Sequence, residues 1–133
     1  MHNNETVTLI VPARSEYAKT VRMTAAALVS RMGMTYDELD DVRMAAEEAF
    51  VYAADTVREG DDLTFTFTLD EDCISIEVGL GAESHLTDED IERRASLATF
   101  ILESVCDSFE LGSDASGCQS LRLSKCAGTI DDV

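Results

Sequence analysis

Basic residues are scarce in this sequence: ten lysines and arginines stand against 27 aspartates and glutamates, a formal charge of −17. A surface so negative repels a phosphate backbone, which argues against direct nucleic-acid binding. The same charge suits solubility or a salty environment, and it would steer a partner with a basic surface, such as a polymerase-associated factor. Long apolar runs are also missing. None approaches the roughly 20 residues of a membrane-spanning helix, and the polar start MHNNET lacks a signal-peptide pattern. The expected location is the cytoplasm, away from membranes. Proline occurs once, at Pro12, and there are no internal repeats or low-complexity segments. Cys73, Cys106, Cys118 and Cys126 have no CxxC spacing. That argues against a zinc site, and for reduced thiols rather than a disulfide frame, each cysteine acting as a small buried hydrophobe.

What is present is ordinary for a globular domain: 45% apolar and 28% charged residues in a chain of 133. The expectation is one domain over residues 1–133, with a frayed tail over 127–133. Thr6–Val11 (TVTLIV) reads as a short edge strand stopped by Pro12. Ser15 is the expected N-cap of a first helix, along which Tyr17, Val21, Ala25, Leu28 and Met32 recur at helical spacing until Gly33. Thr35 and Glu38 have the spacing of a capping box and open a second helix. Leu39, Val42, Ala46, Ala49, Ala53 and Val57 share one face of it, and Glu48 and Tyr52 project together from the flank of that face.

Leu63–Leu69 (LTFTFTL) and Cys73–Leu80 (CISIEVGL) alternate with period two and pair as a hairpin, Ile74, Ile76, Val78 and Leu80 pointing inward. The longest loop, over residues 81–90, is where a lid or a partner contact would lie. A third helix is expected from about Asp88 to Cys106, broken near Ala95–Ser96, with Leu97, Phe100, Ile101 and Val105 as its apolar positions. Ser108–Leu111 and Gln119–Lys125 supply two more strands. This order predicts an α+β fold, a two-layer sandwich with helices packed on one face of a mixed β-sheet.

The strings VPARSEYAKTVRMT, RMGMTYDELDDVRMAAEEA and LATFILESVCDSFEL, followed by LRLSK, resemble the anti-sigma-factor serine-protein kinases of the GHKL (Bergerat-fold, histidine-kinase-like ATPase) superfamily. The resemblance covers nearly the whole chain and implies that fold. Its chemistry resides in three boxes. The first is Glu-x-x-x-Asn, a general base followed by an oxygen ligand for Mg²⁺. Glu48 matches the base, but Tyr52 stands where the asparagine would be, and a neutral phenol is a poor Mg²⁺ ligand. The second is Asp-x-Gly, which reads adenine. Keeping the strand alternation in register puts Leu80 and Ala82 there; a shift recovers Gly79 or Gly81 but no aspartate. The third is a Gly-x-Gly-Leu phosphate loop, matched by Ser96-Leu97-Ala98-Thr99, small residues without glycine's conformational freedom.

With all three boxes degraded, the resemblance implies a regulatory protein that binds partners in transcription control and has lost its kinase activity, a pseudokinase. The implied partners are a sigma factor, an anti-anti-sigma protein, or both. Arg22 matches the arginine that docks the sigma factor, and the N-terminal strand and first helix match a homodimer contact. No cofactor or metal is expected. The alternative is an active ATP- and Mg²⁺-dependent kinase that phosphorylates an anti-anti-sigma (STAS-type) partner. A third possibility is an apolar small-ligand pocket lined by Tyr52, Leu80 and Phe100. Blander roles stand beside these: a solvated carboxylate for Glu48, a boundary aromatic for Tyr52, core for Leu80, and a locally paired surface arginine for Arg22.

Overall fold

The computed structural model describes residues 4–81, 87–113 and 117–128. Its elements run β1 (Glu5–Pro12), a 3-10 turn (Ser15–Tyr17), α1 (Ala18–Val29), α2 (Tyr36–Ala54), β2 (Asp62–Leu69), β3 (Cys73–Gly79), α3 (Asp88–Val105), β4 (Ser108–Ser113) and β5 (Gln119–Cys126). The strands form one five-stranded sheet in the order β1-β2-β3-β5-β4. The fold is the expected α+β sandwich, but all four strand pairings are antiparallel, so the sheet is not mixed. The reason is topological. After α3 the chain skips to the far edge as β4 and hairpins back, and β5 fills the slot beside β3 running against it.

Alternation decides which face is buried. Leu9, Phe65, Val78 and Leu121 are register partners across the sheet, as are Val7, Phe67, Ile76 and Leu123 one step along. Both rows face the helices. The opposite face carries the row Thr8, Thr66, Glu77 and Arg122, with Arg122 reaching Glu77 at 3.4 Å. A face of threonine and charge can stay in water, which is how an antiparallel sheet is covered on one side only.

The central helix is α2, packed between α1 and α3 and against β3 and β5. Its buried residues are Val42, Ala45, Ala46, Ala49, Phe50 and Ala53, and the alanines let its backbone come close to its neighbours. Phe50 stacks on Phe65 with ring centroids 6.2 Å apart, and Phe65 on Phe67 at 6.4 Å. Each such ring contributes about 1.5–3 kcal/mol by leaving water. The capping box forms as expected: the Glu38 amide donates to Thr35 Oγ1 at 3.1 Å, and the Thr35 amide donates to Glu38 Oε1 at 2.9 Å. The Gly128 amide also donates to Glu38, at 2.7 Å, tying the chain after β5 to the start of α2. These amides hold the Glu38 carboxyl below the usual carboxylate range.

Three local expectations are corrected. Ser15 is not the N-cap of α1; it opens a 3-10 turn that leads into the helix. The third helix is unbroken from Asp88 to Val105, because Ala95, Ser96, Leu97, Ala98 and Thr99 include neither glycine nor proline to interrupt it. Its buried residues are Ala98, Leu102 and Val105, whereas Leu97 and Phe100 are exposed. Finally, Cys73 and Cys126 are register partners on β3 and β5 and are joined as a disulfide with Cα atoms 4.0 Å apart. The expectation of four reduced thiols therefore fails for this pair; Cys106 is half-buried and Cys118 exposed, and neither is in a disulfide. Burial pushes the Cys106 thiol up to about 12, which disfavours its thiolate. The expected tail and Ala82 lie largely or wholly outside the described residues.

Candidate functional site

Glu48 and Tyr52 stand one turn apart on α2, both half-buried, at the boundary their spacing predicted. Glu48 forms no hydrogen bond or ion pair among the described residues. Its carboxyl lies above the usual carboxylate range, chiefly through burial, with Arg94 opposing and Glu47 and Asp55 adding to the rise. Burial likewise raises the Tyr52 phenol.

Arg94, half-buried on α3 one turn before Ala98, reaches across to the end of α2. Its guanidinium lies 2.9 Å from Asp55 Oδ2. That oxygen is buried and accepts no properly directed hydrogen bond, so charge rather than a directed donor satisfies it. Sequence spacing does not reveal the pairing of Arg94 with Asp55, which depends on how α2 and α3 pack. Arg22, on α1, donates to Glu47 of α2 at 2.8 Å. It is thus a locally paired arginine, bridging two helices, at the mouth of the same surface.

Beyond β3, the Leu80 amide donates to the Gln119 carbonyl at 2.9 Å, and its side chain packs partly buried on the core. Gly81 comes next and touches the end of α2. Its amide donates to Thr56 Oγ1 at 2.9 Å, and a Cβ there would lie 2.3 Å from the Thr56 carbonyl oxygen and 2.7 Å from Val57. Only glycine fits this approach.

Ser96 is exposed, Ala98 fully buried and Thr99 half-buried, all inside α3. Their amides are donors within an α-helix whose N-cap, Thr87, lies two turns upstream. The free amides of α3 are instead at its N-terminus, followed by Asp88, Glu89 and Asp90, which repel an anion. Among the described residues, Tyr52 offers only a neutral phenol at the position that the resemblance gives to a metal ligand, and Arg94 is drawn onto Asp55. The described residues also include no cluster of His, Cys, Asp and Glu that could hold a metal ion, and no helix long and apolar enough to cross a membrane.

The three helices back one face of the antiparallel sheet, with the acidic α2 at their centre. No family model matches the chain. It is 36% identical over 77 residues to the serine-protein kinase RsbW of Halalkalibacterium halodurans, covering 57% of this chain and 48% of that protein. To RsbW of Bacillus subtilis it is 32% identical over 78 residues, covering 56% and 49%. To RsbW of Oceanobacillus iheyensis it is 25% identical over 130 residues, covering 85% and 82%. The matches of higher identity thus span about half the length of those relatives. A crystal structure of the RsbU and RsbW domains of a Mycobacterium tuberculosis protein has the same fold, with a TM-score of 0.61 at 14% identity, over 97% of this chain and 35% of that one. The chain is thus similar to RsbW serine-protein kinases and shares the fold of a structure that contains an RsbW domain.

Proposed function

We propose that this domain is an anti-sigma-type regulatory protein that works by binding other proteins in the cytoplasm, its kinase chemistry lost. The observation that carries this is α3. The segment matching the phosphate loop, Ser96–Thr99, is continuous helix, so its amides are spent on backbone carbonyls. Two further features support it. The glycine that meets α2 closely is Gly81, and if it is the glycine of Asp-x-Gly, Gly79 stands at the aspartate. In that register, as in the one that assigns Leu80 and Ala82, no carboxylate reads adenine. Tyr52 adds a ring where a metal ligand is needed.

The partners in this reading are a sigma factor, an anti-anti-sigma protein, or both, with Arg22 as the contact on α1 and a homodimer as the assembly. Arg22 is held against Glu47, so Arg22→Glu removes a cation and sets like charges together; it should abolish sigma-factor binding. Calorimetry with ATP and Mg²⁺ tests the central point. No heat is expected, whereas micromolar binding with phosphate transfer to an anti-anti-sigma partner overturns the proposal.

One observation favours the kinase reading: Glu48 is half-buried, unpaired and raised toward neutrality, as a general base should be. A base without a phosphate cradle does not transfer phosphate, and the binding role is the better supported.

A further inference from the structure

Alongside Glu48, the surfaces of α1, α2 and α3 enclose a groove of about 450 Å³. Met44 and Val51 of α2 and Ile101 of α3 form its apolar walls, and Asp40, Glu47 and Glu48 supply carboxylates against the single guanidinium of Arg22. We infer that this groove docks a basic amphipathic helix of a partner protein, its apolar side chains against Met44, Val51 and Ile101 and a lysine or arginine on Glu48. The inference rests on the reading of the domain as a binding protein.

Three observations argue for that occupant. First, the apolar surface continues out of the groove. Leu97 lies one turn before Ile101 and is 52% exposed, Phe100 is 70% exposed, and Met44 52%. Single exposed apolar residues are unremarkable, but exposed Met44 inside the groove, with exposed Leu97 one turn from its Ile101 wall, marks an interaction surface. Second, the charge is selective. Asp40 is engaged by Arg43 at 2.9 Å and Glu47 by Arg22 at 2.8 Å, whereas Glu48 has no partner among the described residues. An incoming cation would gain a half-desolvated carboxylate, where pairing is worth more than at an open surface. Third, the shape suits a helix. Met44 and Val51 are seven residues apart on α2, about 10 Å along its axis, which matches anchors at i, i+3, i+4 and i+7 of a docked helix.

The test uses the full chain and a labelled, designed peptide of about four helical turns, with leucine on one face and lysine on the other. Fluorescence anisotropy should give micromolar affinity. Glu48→Gln should weaken it severalfold, and Ile101→Glu more than about tenfold, the loss typical of a central apolar anchor. Met44→Ala, a milder truncation of an exposed side chain, should weaken it too and guards against misfolding of Ile101→Glu. Glu16→Gln, away from the groove, should change nothing. Equal losses for Glu16→Gln and Glu48→Gln would mean mere attraction to an acidic protein and overturn the inference. So would equal binding of the same peptide with glutamate for lysine, or no binding at all. If the groove is instead covered by a second copy, Ile101→Glu would convert a sedimenting dimer to monomer, which also overturns it. Nucleotide calorimetry on the same preparation separates these failures from failure of the binding-protein reading, since ATP-dependent phosphate transfer sinks the latter alone.

Discussion

Glu48 and Gly81 carry the clearest consequences of single residues. The folded protein holds the Glu48 carboxyl above its usual range, chiefly by burial, so the folded state binds this proton more readily than the unfolded chain. The ionised form therefore costs stability at neutral pH, and the cost fades as pH falls through the raised value toward the ordinary one. Glu48→Gln should unfold at a slightly higher temperature than the parent near pH 7, with the gap closing by about pH 4. Melting curves across that range check it; an unchanged or widening gap at acid pH would mean that Arg94 dominates the local field. Gly81 is constrained by contact, since a Cβ would meet the Thr56 carbonyl oxygen and Val57. Gly81→Ala should cost about 1–3 kcal/mol, the usual penalty for overpacking against backbone, read as a lower urea midpoint with unchanged slope. Glycine at this position was legible in the sequence only as one of two candidates, because the register of a strand end is decided by what the next residue touches.

At the scale of elements, α3 separates local propensity from family expectation. The capping box of α2 and the threonine alternation of β2 were legible because both are local patterns with one physical solution. The break expected near Ala95–Ser96 is absent, and the phosphate loop that the resemblance implies over Ser96–Thr99 is helix as well, because these residues favour helix throughout. Propensity prevailed. The side of α3 that packs is not the one with the largest apolar residues: Leu97 and Phe100 are exposed, and Ala98 and Leu102 fill the core, since α2 presents alanines and admits a small residue at close range. The double change Ser96→Gly with Ala98→Gly restores the glycines of a phosphate loop. It should cost about 2 kcal/mol, roughly one per helix glycine, and reduce helical circular dichroism. If nucleotide binding appears in that variant, α3 alone was barring it; if none appears, Tyr52 and the Arg94–Asp55 pair are sufficient barriers.

For the whole molecule, long-range pairing and net charge set the behaviour. The Cys73–Cys126 bridge spans 53 residues of sequence and staples the central strand β3 to β5. Spacing could not reveal it, because the pairing of β3 with β5 depends on the crossover through α3. In the chain-entropy account a loop of that size is worth about 4 kcal/mol, so a reductant should lower the unfolding midpoint by a corresponding amount, and Cys73→Ala should remove the sensitivity. Charge acts over the same scale in two opposed ways. With 27 acidic and ten basic residues, the folded chain repels itself more than the expanded one does. Adding salt shortens the reach of that repulsion from about 10 Å at 0.1 M to about 3 Å at 1 M. The melting temperature should therefore rise by several degrees over that range. A basic helix seated beside Glu48 is held partly by the same field, so its affinity should fall over the same titration. Opposite slopes for stability and docking, measured on one preparation, would tie the acidic surface to partner capture; parallel slopes would confine its effect to the fold.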